Sequence, residues 1–375
     1  MAKREAPTHL ITGGAGFIGS HLSDALSARG DRVVILDDFS TGRRENVAHL
    51  AEADGVELVE GSVRDADLVD GLMASADDCF HLASAVGVKL VIENPLDSLL
   101  SNMRGADIVT AAAARHRRRL IFTSTSEIYG KNSNGPLSED SDRLLGATST
   151  SRWNYATAKA MGEMLAYGYA RERGAEMIVV RPFNTVGPRQ VGQYGMVLPR
   201  FVLQALNGEP LTVYGDGTQS RCFTHVYDAV EAFVGLASAE LAVGTAFNIG
   251  SATGLTIREL AESVIERTGS DSAIRYVPYE EAYGEGFEEL GSRRADSSAI
   301  ERLCGWRPRR TIDEAIDQVA AYTRGAWNGT ERRRSDRRCA EGVPDGNGWK
   351  GPERRRLDRR GVPWRGAEAA TEVLA

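Results

Sequence analysis

The spacing of Tyr155 and Lys159 is the first feature of this sequence that could do chemistry. Residues four apart lie on the same face of a helix, so the two side chains would point the same way. An ammonium group beside a phenol lowers the pKa of the phenol and makes a tyrosinate accessible near neutral pH. Such a tyrosinate could remove a proton from a substrate hydroxyl. Because the spacing is common in helices, this interpretation depends on the elements around it.

Four polar residues, from Ser124 to Glu127, follow directly after the apolar run Arg119–Thr123, which predicts a strand. Thr125 lies at the end of that strand, from which it could reach the same hydroxyl as Tyr155. Glu127 also lies at the carboxyl end of the strand, a position typical of functional acids. We therefore predict a catalytic group between this strand and the following helix. Its members are Thr125, Ser126, Glu127, Tyr155 and Lys159.

A glycine-rich turn lies near the start of the chain, at Gly13, Gly16 and Gly19. The pattern predicts a strand that ends in a turn and opens directly into a helix, which is typical of a dinucleotide site. Gly13 would take the sharp turn, Gly16 would let backbone N–H groups approach a pyrophosphate, and Gly19 would allow tight helix packing. The spacing is G-x-x-G-x-x-G rather than G-x-G-x-x-G. Phe17 and Ile18 complete the predicted cofactor-binding turn.

Asp37 ends a second predicted strand, about twenty residues after the glycines. An acid in this position binds the hydroxyl groups of the adenosine ribose and would repel a 2′-phosphate. We therefore predict NAD rather than NADP as the cofactor. Arg43 and Arg44, shortly after Asp37, favour NADP instead. A fourth predicted strand ends at Ala83 and Ser84, which would lie beside the cofactor.

Short apolar runs alternate with helical periodicity through the first half of the chain, which is typical of a parallel sheet wrapped by helices. We predict an α/β fold in which residues 7–182 form the NAD-binding domain, a doubly wound Rossmann-type parallel sheet. From Phe183 onward glycine and proline become more frequent, and the elements become shorter and mixed. Residues 183–325 are predicted to form a smaller mixed α/β substrate domain, with segments that return to the first domain.

The last segment, residues 326–375, differs from the rest in composition. The run E-R-R-R-S-D-R-R at residues 331–338 recurs as E-R-R-R-L-D-R-R at residues 353–360. Few apolar residues are available for burial there, so we predict a basic, disordered tail. A contact with an anionic surface is the alternative interpretation.

Length and composition exclude several classes of protein. A chain of 375 residues with 42% hydrophobic content can form one large α/β unit and a smaller one. No apolar run approaches membrane-spanning length and the N-terminus has no hydrophobic signal region, so we expect a cytoplasmic protein. The four cysteines show no C-x-x-C spacing, so neither a disulfide framework nor a metal site is predicted. The formal charge of -7 argues against nucleic-acid binding by the main body.

From Leu10 to about Ile316, the chain resembles the extended short-chain dehydrogenases/reductases of the NAD-dependent epimerase/dehydratase family, which modify nucleotide sugars. The resemblance rests on the motifs described above and on three further runs. These are R-P-F-N at residues 181–184, G-P-R at residues 187–189, and V-Y-G-D-G at residues 213–217, which leads to Arg221.

The resemblance implies a role for each residue of the predicted site. Tyr155 would take a proton from the sugar 4-hydroxyl while C4 gives a hydride to NAD, and Lys159 would hold the tyrosinate and the nicotinamide ribose. Asn184 would contact the sugar or the diphosphate, and Arg221 the diphosphate. A homodimer would form through helices that include the one carrying Tyr155.

Three residues bear on the reaction that this resemblance implies: Ser126, Glu127 and Arg293. The dTDP-glucose 4,6-dehydratases carry Asp-Glu where this chain has Ser126-Glu127, so the acid that would protonate a leaving 6-hydroxyl is absent. The GDP-mannose 4,6-dehydratases share Thr-Ser-Glu and stay an alternative. The UDP-glucuronate decarboxylases share Ser-Glu and have a functional arginine at the position of Arg293, and several share the run Arg152-Trp153-x-Tyr155.

The resemblance therefore favours decarboxylation of UDP-glucuronate to UDP-xylose. The second alternative is a UDP-sugar 4-epimerase, acting on UDP-glucose and UDP-galactose or on the uronates, and a 4,6-dehydratase follows. A non-catalytic NAD-sensing protein on the same fold is the remaining alternative. Such a protein would have no need for Thr125, Tyr155 and Lys159 together.

Overall fold

A parallel sheet of seven strands is the centre of the computed structural model, which describes residues 6–87, 91, 93–192, 195–283 and 292–326. The tail predicted at residues 326–375 lies outside the described residues from residue 327 onward. The strands within the described ranges are β1 (Thr8–Thr12), β2 (Arg32–Asp37), β3 (Val56–Glu60), β4 (Asp78–His81), β5 (Arg119–Thr123), β6 (Pro136–Leu137), β7 (Met177–Pro182), β8 (Thr185–Val186), β9 (Leu211–Tyr214), β10 (Ser220–Cys222), β11 (Thr224–His225), β12 (Ala246–Ile249), β13 (Gly254–Thr256), β14 (Ile274–Val277) and β15 (Arg294–Ala295). The helices are α1 (Phe17–Ala28), α2 (Ala66–Ser75), α3 (Pro95–His116), α4 (Asn154–Arg173), α5 (Val197–Leu206), α6 (Val226–Ala237), α7 (Ile257–Thr268), α8 (Tyr279–Tyr283), α9 (Ser298–Cys304) and α10 (Ile312–Ala326).

The strands of the large sheet lie in the order β3-β2-β1-β4-β5-β7-β12, and each neighbouring pair is parallel. The order reverses between β1 and β4, the point at which open α/β sheets bind ligands outside the carboxyl ends of their strands. Thr12 of β1 pairs with Leu36 of β2 and with His81 of β4, so these strands end at the same edge. The predicted α/β, doubly wound Rossmann-type fold is confirmed.

Helices cover both faces of this sheet because successive side chains of a strand point to opposite faces. Along β1, Ile11 packs into the core on one face and Leu10 into the core on the other. On the first face, α1 contributes Leu22 and α6 contributes Phe233. On the second face lie α2, α3 and α4, with Val109 of α3 fully buried. The inner strands β1 and β2 therefore carry buried residues on both faces, as buried parallel strands do, whereas the edge strand β3 is largely exposed.

Capping side chains decide where two of the helices begin. Asp65 precedes α2, and its side chain accepts a hydrogen bond from the Leu68 N–H at 3.1 Å. Thr256 precedes α7 and forms a capping box with Glu259, since each side chain accepts a hydrogen bond from the backbone N–H of the other residue. At β4 the structure differs from the sequence prediction, which extended the strand to Ala83. The strand ends at His81 because the Ala83 N–H turns to the Thr12 hydroxyl, at 3.3 Å.

A smaller layer of mixed elements is built from residues beyond 183. Strands β9 and β14 pair in parallel, and helices α5, α7 and α10 pack together through Phe201, Leu260 and Ile316. In contrast, β12 joins the large sheet and α6 packs on its face, so some later segments do return to it. The described residues all fall in one compact unit. The domain boundary between residues 182 and 183 stays a prediction.

A buried ion pair between Arg181 and Glu163 ties α4 to the sheet. Arg181 donates from Nε and Nη2 to the two carboxylate oxygens of Glu163, at 2.9 and 2.6 Å. Its Nη1 donates to the Tyr129 hydroxyl at 2.9 Å, and this hydroxyl donates to Oδ1 of Asn248 at 2.7 Å. Bidentate arginine pairs fix orientation as well as distance. The network therefore holds the helix of the Tyr–Lys pair against β7 and β12.

Arg181→Met should lower the free energy of unfolding by about 3–5 kcal/mol, because Glu163 would stay buried without its cation. Arg267→Met is the matched control. Arg267 forms an exposed ion pair with Asp317, and losing such a pair has little effect on stability. Urea unfolding followed by circular dichroism measures both variants. Equal unfolding midpoints for the two variants would contradict this account of the Arg181 network.

Candidate active site

The turn after β1 fits only glycine at two positions. Gly13 has a φ of 71°, and a Cβ atom on it would lie 2.7 Å from the backbone nitrogen of Ala83. A Cβ atom on Gly19 would lie 2.2 Å from the Gly13 carbonyl oxygen. Gly16 immediately precedes α1, whose first turn has neither a capping side chain nor an acidic residue. The turn therefore presents the positive end of a helix dipole without a negative charge of its own.

A first cavity, of about 360 Å³, lies over this turn at the carboxyl edge of the sheet. Asp37, which is 6% exposed, forms part of its wall. The Asp37 carboxylate accepts hydrogen bonds from the N–H groups of Ala15 and Phe39, at 2.9 and 2.8 Å. Burial raises the pKa of Asp37, and these two hydrogen bonds oppose the rise. The residues predicted to bind the cofactor all line this cavity: Gly13, Gly16, Phe17, Ile18, Gly19, Asp37, Ala83, Tyr155 and Lys159.

The shape and chemistry of the first cavity fit a dinucleotide. An uncapped helix end can receive a pyrophosphate, and a carboxylate at the end of β2 can receive a ribose diol. The absence of side chains at Gly13 and Gly19 lets the turn pack closely against Ala83 and against α1, which sets the position of this helix end. The glycine contacts and the buried position of Asp37 are the features of this cavity that fit a dinucleotide.

Tyr155 and Lys159 lie one turn apart on α4, as predicted, and both line the first cavity, where Lys159 is buried and Tyr155 is half-buried. Lys159 donates from Nζ to the Thr123 carbonyl at 2.8 Å, and burial lowers its pKa to about 8. The Tyr155 hydroxyl forms hydrogen bonds with Thr125 and Ser84. The expectation that the phenol pKa is lowered is wrong for this structure. Burial first, and then the negative charge of a nearby glutamate, raise the pKa of Tyr155.

That glutamate is Glu127, in the 3₁₀ turn Ser126–Tyr129. The Thr125 Oγ1 accepts a hydrogen bond from the Glu127 N–H at 3.1 Å and so caps the turn. The Glu127 Oε2 accepts a hydrogen bond from Nη1 of Arg152 at 2.7 Å. Burial alone would raise the pKa of Glu127, but the positive charges of Arg152 and of two further arginines outweigh it and lower the pKa. Glu127 is therefore held as a carboxylate.

Arg293 reaches the same turn from a distant part of the chain. Its side chain is buried, with the residue 3% exposed, and its Nη1 donates to Ser126 Oγ at 3.5 Å. The backbones of Arg293 and Arg221 form a parallel bridge, which places both arginines on one side of the site. Burial lowers the pKa of Arg293 to about 10, and the negative charge of Glu127 opposes this shift.

A second cavity, of about 220 Å³, shares several wall residues with the first. Tyr155, Glu127, Asn184 and Arg293 line both, so the two cavities meet at the predicted catalytic group. The Asn184 side chain donates to the Cys222 carbonyl at 2.8 Å. The charged side chains described along the second cavity are four arginines and one glutamate, a formal charge of +3 that favours an anionic ligand. They are Arg152, Arg200, Arg221, Arg293 and Glu127.

Two residues that contact the catalytic group were not among the predicted catalytic and substrate residues. Ser84 was expected only beside the cofactor, yet it also contacts Tyr155, and its hydroxyl donates to Oδ1 of Asn102 at 2.9 Å. The position of Ser84 directly after a predicted strand is the sequence signal that could have indicated this contact. Arg152 was noted only as part of a shared run. A position three residues before Tyr155 does not by itself show that the side chain turns to Glu127.

The fold and the two joined cavities are those of a Rossmann-type enzyme, in which a site for an anionic ligand lies beside a dinucleotide site. The model of the NAD dependent epimerase/dehydratase family matches residues 9–250, and the chain belongs to this family. Its cofactor is NAD. The predicted family, cofactor and enzymatic nature are thereby confirmed.

Named relatives fall among nucleotide-sugar enzymes. The UDP-N-acetyl-alpha-D-glucosaminuronate decarboxylase of Bacillus cytotoxicus is 41% identical over 320 residues, which cover 85% of this chain and 98% of that protein. The UDP-glucuronic acid decarboxylase 1 of Danio rerio is 34% identical over 322 residues, which cover 86% of this chain and 74% of that protein. Among solved structures, the UDP-glucuronic acid 4-epimerase from Bacillus cereus, in complex with UDP-glucuronic acid and NAD, has a TM-score of 0.77 at 26% identity, covering 85% of this chain and 99% of that one.

Asp37→Ala should weaken NAD binding about tenfold or more, because a hydrogen bond to a charged group contributes roughly 1.5–3 kcal/mol. Asp38→Ala is the matched control, since Asp38 lines the same cavity but its carboxylate accepts hydrogen bonds from the exposed Ser40. Asp38→Ala should weaken NAD binding less than Asp37→Ala does. Isothermal titration calorimetry with NAD and NADP measures both variants and the wild type. Tighter binding of NADP than of NAD by the wild type would refute the role given to Asp37.

Proposed function

We propose that this protein is an NAD-dependent decarboxylase of a UDP-hexuronate, with UDP-glucuronate as the first candidate substrate and UDP-xylose as its product. The observation that carries the proposal is the position of Arg293 and Glu127, which line both cavities beside Tyr155. A cation at the reacting end of the sugar suits a carboxylate, and the positive charge of the second cavity suits a nucleoside diphosphate. The decarboxylases among the relatives support the same reaction.

The reaction begins at the sugar 4-hydroxyl. In the proposal Tyr155 removes the proton of this hydroxyl, and Thr125, hydrogen-bonded to Tyr155, orients it. When bound, NAD supplies the acceptor and later the donor of the C4 hydride. Lys159 keeps its positive charge close to the site and would bind the nicotinamide ribose. Burial and the negative charge of Glu127 raise the pKa of Tyr155, so a positive charge beside the phenol would favour this proton transfer.

The second step takes place at C5. With a ketone at C4, the carboxylate is in the β position, so the C5–C6 bond breaks, carbon dioxide leaves and the electron pair passes to the C4 oxygen as an enolate. The enolate would then take up a proton from water at C5. Return of the hydride to C4 and of the proton from Tyr155 to the C4 oxygen would give the UDP-pentose. Arg293 would bind the carboxylate and direct it, while Ser126, 3.5 Å from Arg293, lies at the same end of the sugar. The charge of Glu127 repels the carboxylate, and this repulsion ends when neutral carbon dioxide forms. Asn184 and Arg221 would hold the sugar and the diphosphate.

The second candidate is a 4-epimerase that acts on a UDP-uronate. It is favoured by the likeness of the fold to the UDP-glucuronic acid 4-epimerase from Bacillus cereus. An epimerase would use Tyr155, Lys159 and Thr125 in the same first step, but it would return the hydride to the other face of C4. The two candidates therefore differ in whether the carboxyl carbon is lost.

Mass spectrometry of the products from UDP-glucuronate and UDP-N-acetylglucosaminuronate should show the loss of one carbon dioxide. Glu127→Gln and Arg293→Ala should lower carbon dioxide release far more than NADH formation, because only the step at C5 loses its partner. Tyr155→Phe is the control that should lower both by a factor of about a hundred or more. A product that keeps the carboxyl carbon would exclude the decarboxylase and leave the epimerase.

We also propose a homodimer through the neighbouring helices α3 and α4, which present an exposed apolar face. Leu96 of α3 is 64% exposed and Met164 of α4 is 62% exposed, with Met161 one turn before it on the same face. Met164→Arg should shift the protein toward the monomer in sedimentation velocity, because the dimer would bury a charge. Leu241→Arg is the control, as Leu241 is exposed on the separate turn Glu240–Ala242. A monomeric wild type would refute the dimer.

Location and the tail stay predictions. In the part of the chain that the structure describes, no helix is long and apolar enough to cross a membrane. We propose a cytoplasmic protein, as its composition predicts, with a nucleotide sugar rather than a nucleic acid as partner. The arginine repeats at residues 331–338 and 353–360 lie outside the described residues.

A further inference from the structure

Arg152 is a buried arginine, 8% exposed, that the proposed chemistry does not use. It lies in the 3₁₀ turn Ser151–Trp153, which leads directly into α4 and Tyr155. Its side chain lines the second cavity and donates from Nη1 to Glu127 Oε2 at 2.7 Å. The ion pair thus joins the two segments that carry the catalytic carboxylate and the catalytic tyrosine.

The backbone holds both ends of this ion pair. Next to Arg152, Trp153 is 3% exposed, and its N–H donates to the Thr150 carbonyl at 3.1 Å. On the other side, the Gly130 N–H donates to the Glu127 carbonyl at 3.0 Å and closes the turn. Two short, hydrogen-bonded turns therefore fix the two ends of the pair. A preorganised contact of this kind needs little further ordering to act in a reaction.

The titratable groups that face Glu127 come from three segments of the chain, which carry Arg152 with Tyr155, Arg221, and Arg293. Of these, Arg152 donates directly to Glu127, whereas Arg293 donates to the Ser126 hydroxyl. The attraction between a carboxylate and a cation is strong where water is largely excluded. Without Arg152, the Glu127 carboxylate would be drawn toward Arg293, which already acts on it. The cation needed for the substrate carboxylate would then be occupied.

We propose that Arg152 is a positioning residue, which holds Glu127 as a carboxylate and so leaves Arg293 to bind the carboxylate of the sugar. Arg152 acts through Glu127 and does not itself need to touch the reacting atoms. This inference rests on the proposed function, because it names the substrate group for which Arg293 is kept. The two arginines that act on Glu127 thus have different roles, since Arg152 binds Glu127 and Arg293 binds the substrate carboxylate.

Arg152→Met removes the cation beside Glu127, so burial raises the pKa of Glu127 against less opposition. The acidic limb of kcat/KM for the UDP-hexuronate should move to higher pH by about one unit or more. The KM for the UDP-hexuronate should also rise because Glu127 then competes for Arg293. Arg152→Lys keeps the charge and should restore most of the acidic limb.

Arg143→Met is the matched control. Arg143 is exposed, lies outside both cavities, and donates from Nε to the Ile128 carbonyl of the same turn at 3.3 Å. The variant therefore removes an arginine from this turn without changing the charge beside Glu127. Its acidic limb should coincide with that of the wild type.

An unchanged acidic limb in Arg152→Met, with NAD still bound and a wild-type circular dichroism spectrum, would overturn the role of Arg152. If that variant does not fold, Arg152→Gln replaces it under the same criterion. If the wild type releases no carbon dioxide from either hexuronate, the proposed function fails. A ¹³C NMR titration of the glutamate carboxyls, assigned with Glu127→Gln, then still decides, because an unchanged Glu127 pKa in the Arg152 variants would refute the inference.

Discussion

The close approach of α1 to the turn after β1 is the contact on which the whole site depends. A Cβ atom on Gly19 would lie 2.2 Å from the Gly13 carbonyl oxygen, so any side chain there would push the helix off its strand. Gly13 in turn lies against the backbone of Ala83, and this contact joins the ends of β1 and β4. Protein interiors are close-packed, so a displacement at this point would spread along the edge of the sheet. The shape of the first cavity, and the place of its helix N-terminus, follow from the absence of side chains at two positions.

The second constraint is electrostatic. The second cavity carries a formal charge of +3 on its described lining, and the lowered pKa of Arg293 reflects the cost of burying a cation. A buried ion pair adds little net stability relative to well-packed apolar residues, so the value of the arginines along the second cavity lies in what they bind. An anionic substrate lowers this cost and would stabilise the folded protein as it binds. The Arg152–Glu127 pair places one carboxylate at a fixed position among these cations.

Part of the site was predictable because its signals are local. The glycine turn, the acid at the end of β2 and the Tyr155–Lys159 spacing each depend on a few consecutive residues, and each lies where the sequence indicated. The prediction that Lys159 lowers the pKa of Tyr155 was wrong because it, too, depended on a local signal. The spacing shows that Tyr155 and Lys159 share a helix face, but it does not show the burial that raises the tyrosine pKa or the Thr123 carbonyl that receives the lysine. A shift in pKa depends on every group nearby, and most of these groups are distant in sequence.

The sequence by itself determined the α/β class, the order of the first elements and the dinucleotide turn, because hydrophobic periodicity and glycine act on neighbouring residues. The tertiary structure alone decided which distant side chains meet. Arg293 lies 167 residues from Ser126 in the chain, yet the pairing of β15 with β6 brings the two within 3.5 Å. Arg152 meets Glu127 across 25 residues only because two short turns face each other beside the sheet edge. Contacts of this kind depend on strand register and on packing over long chain separations, and no local pattern encodes them.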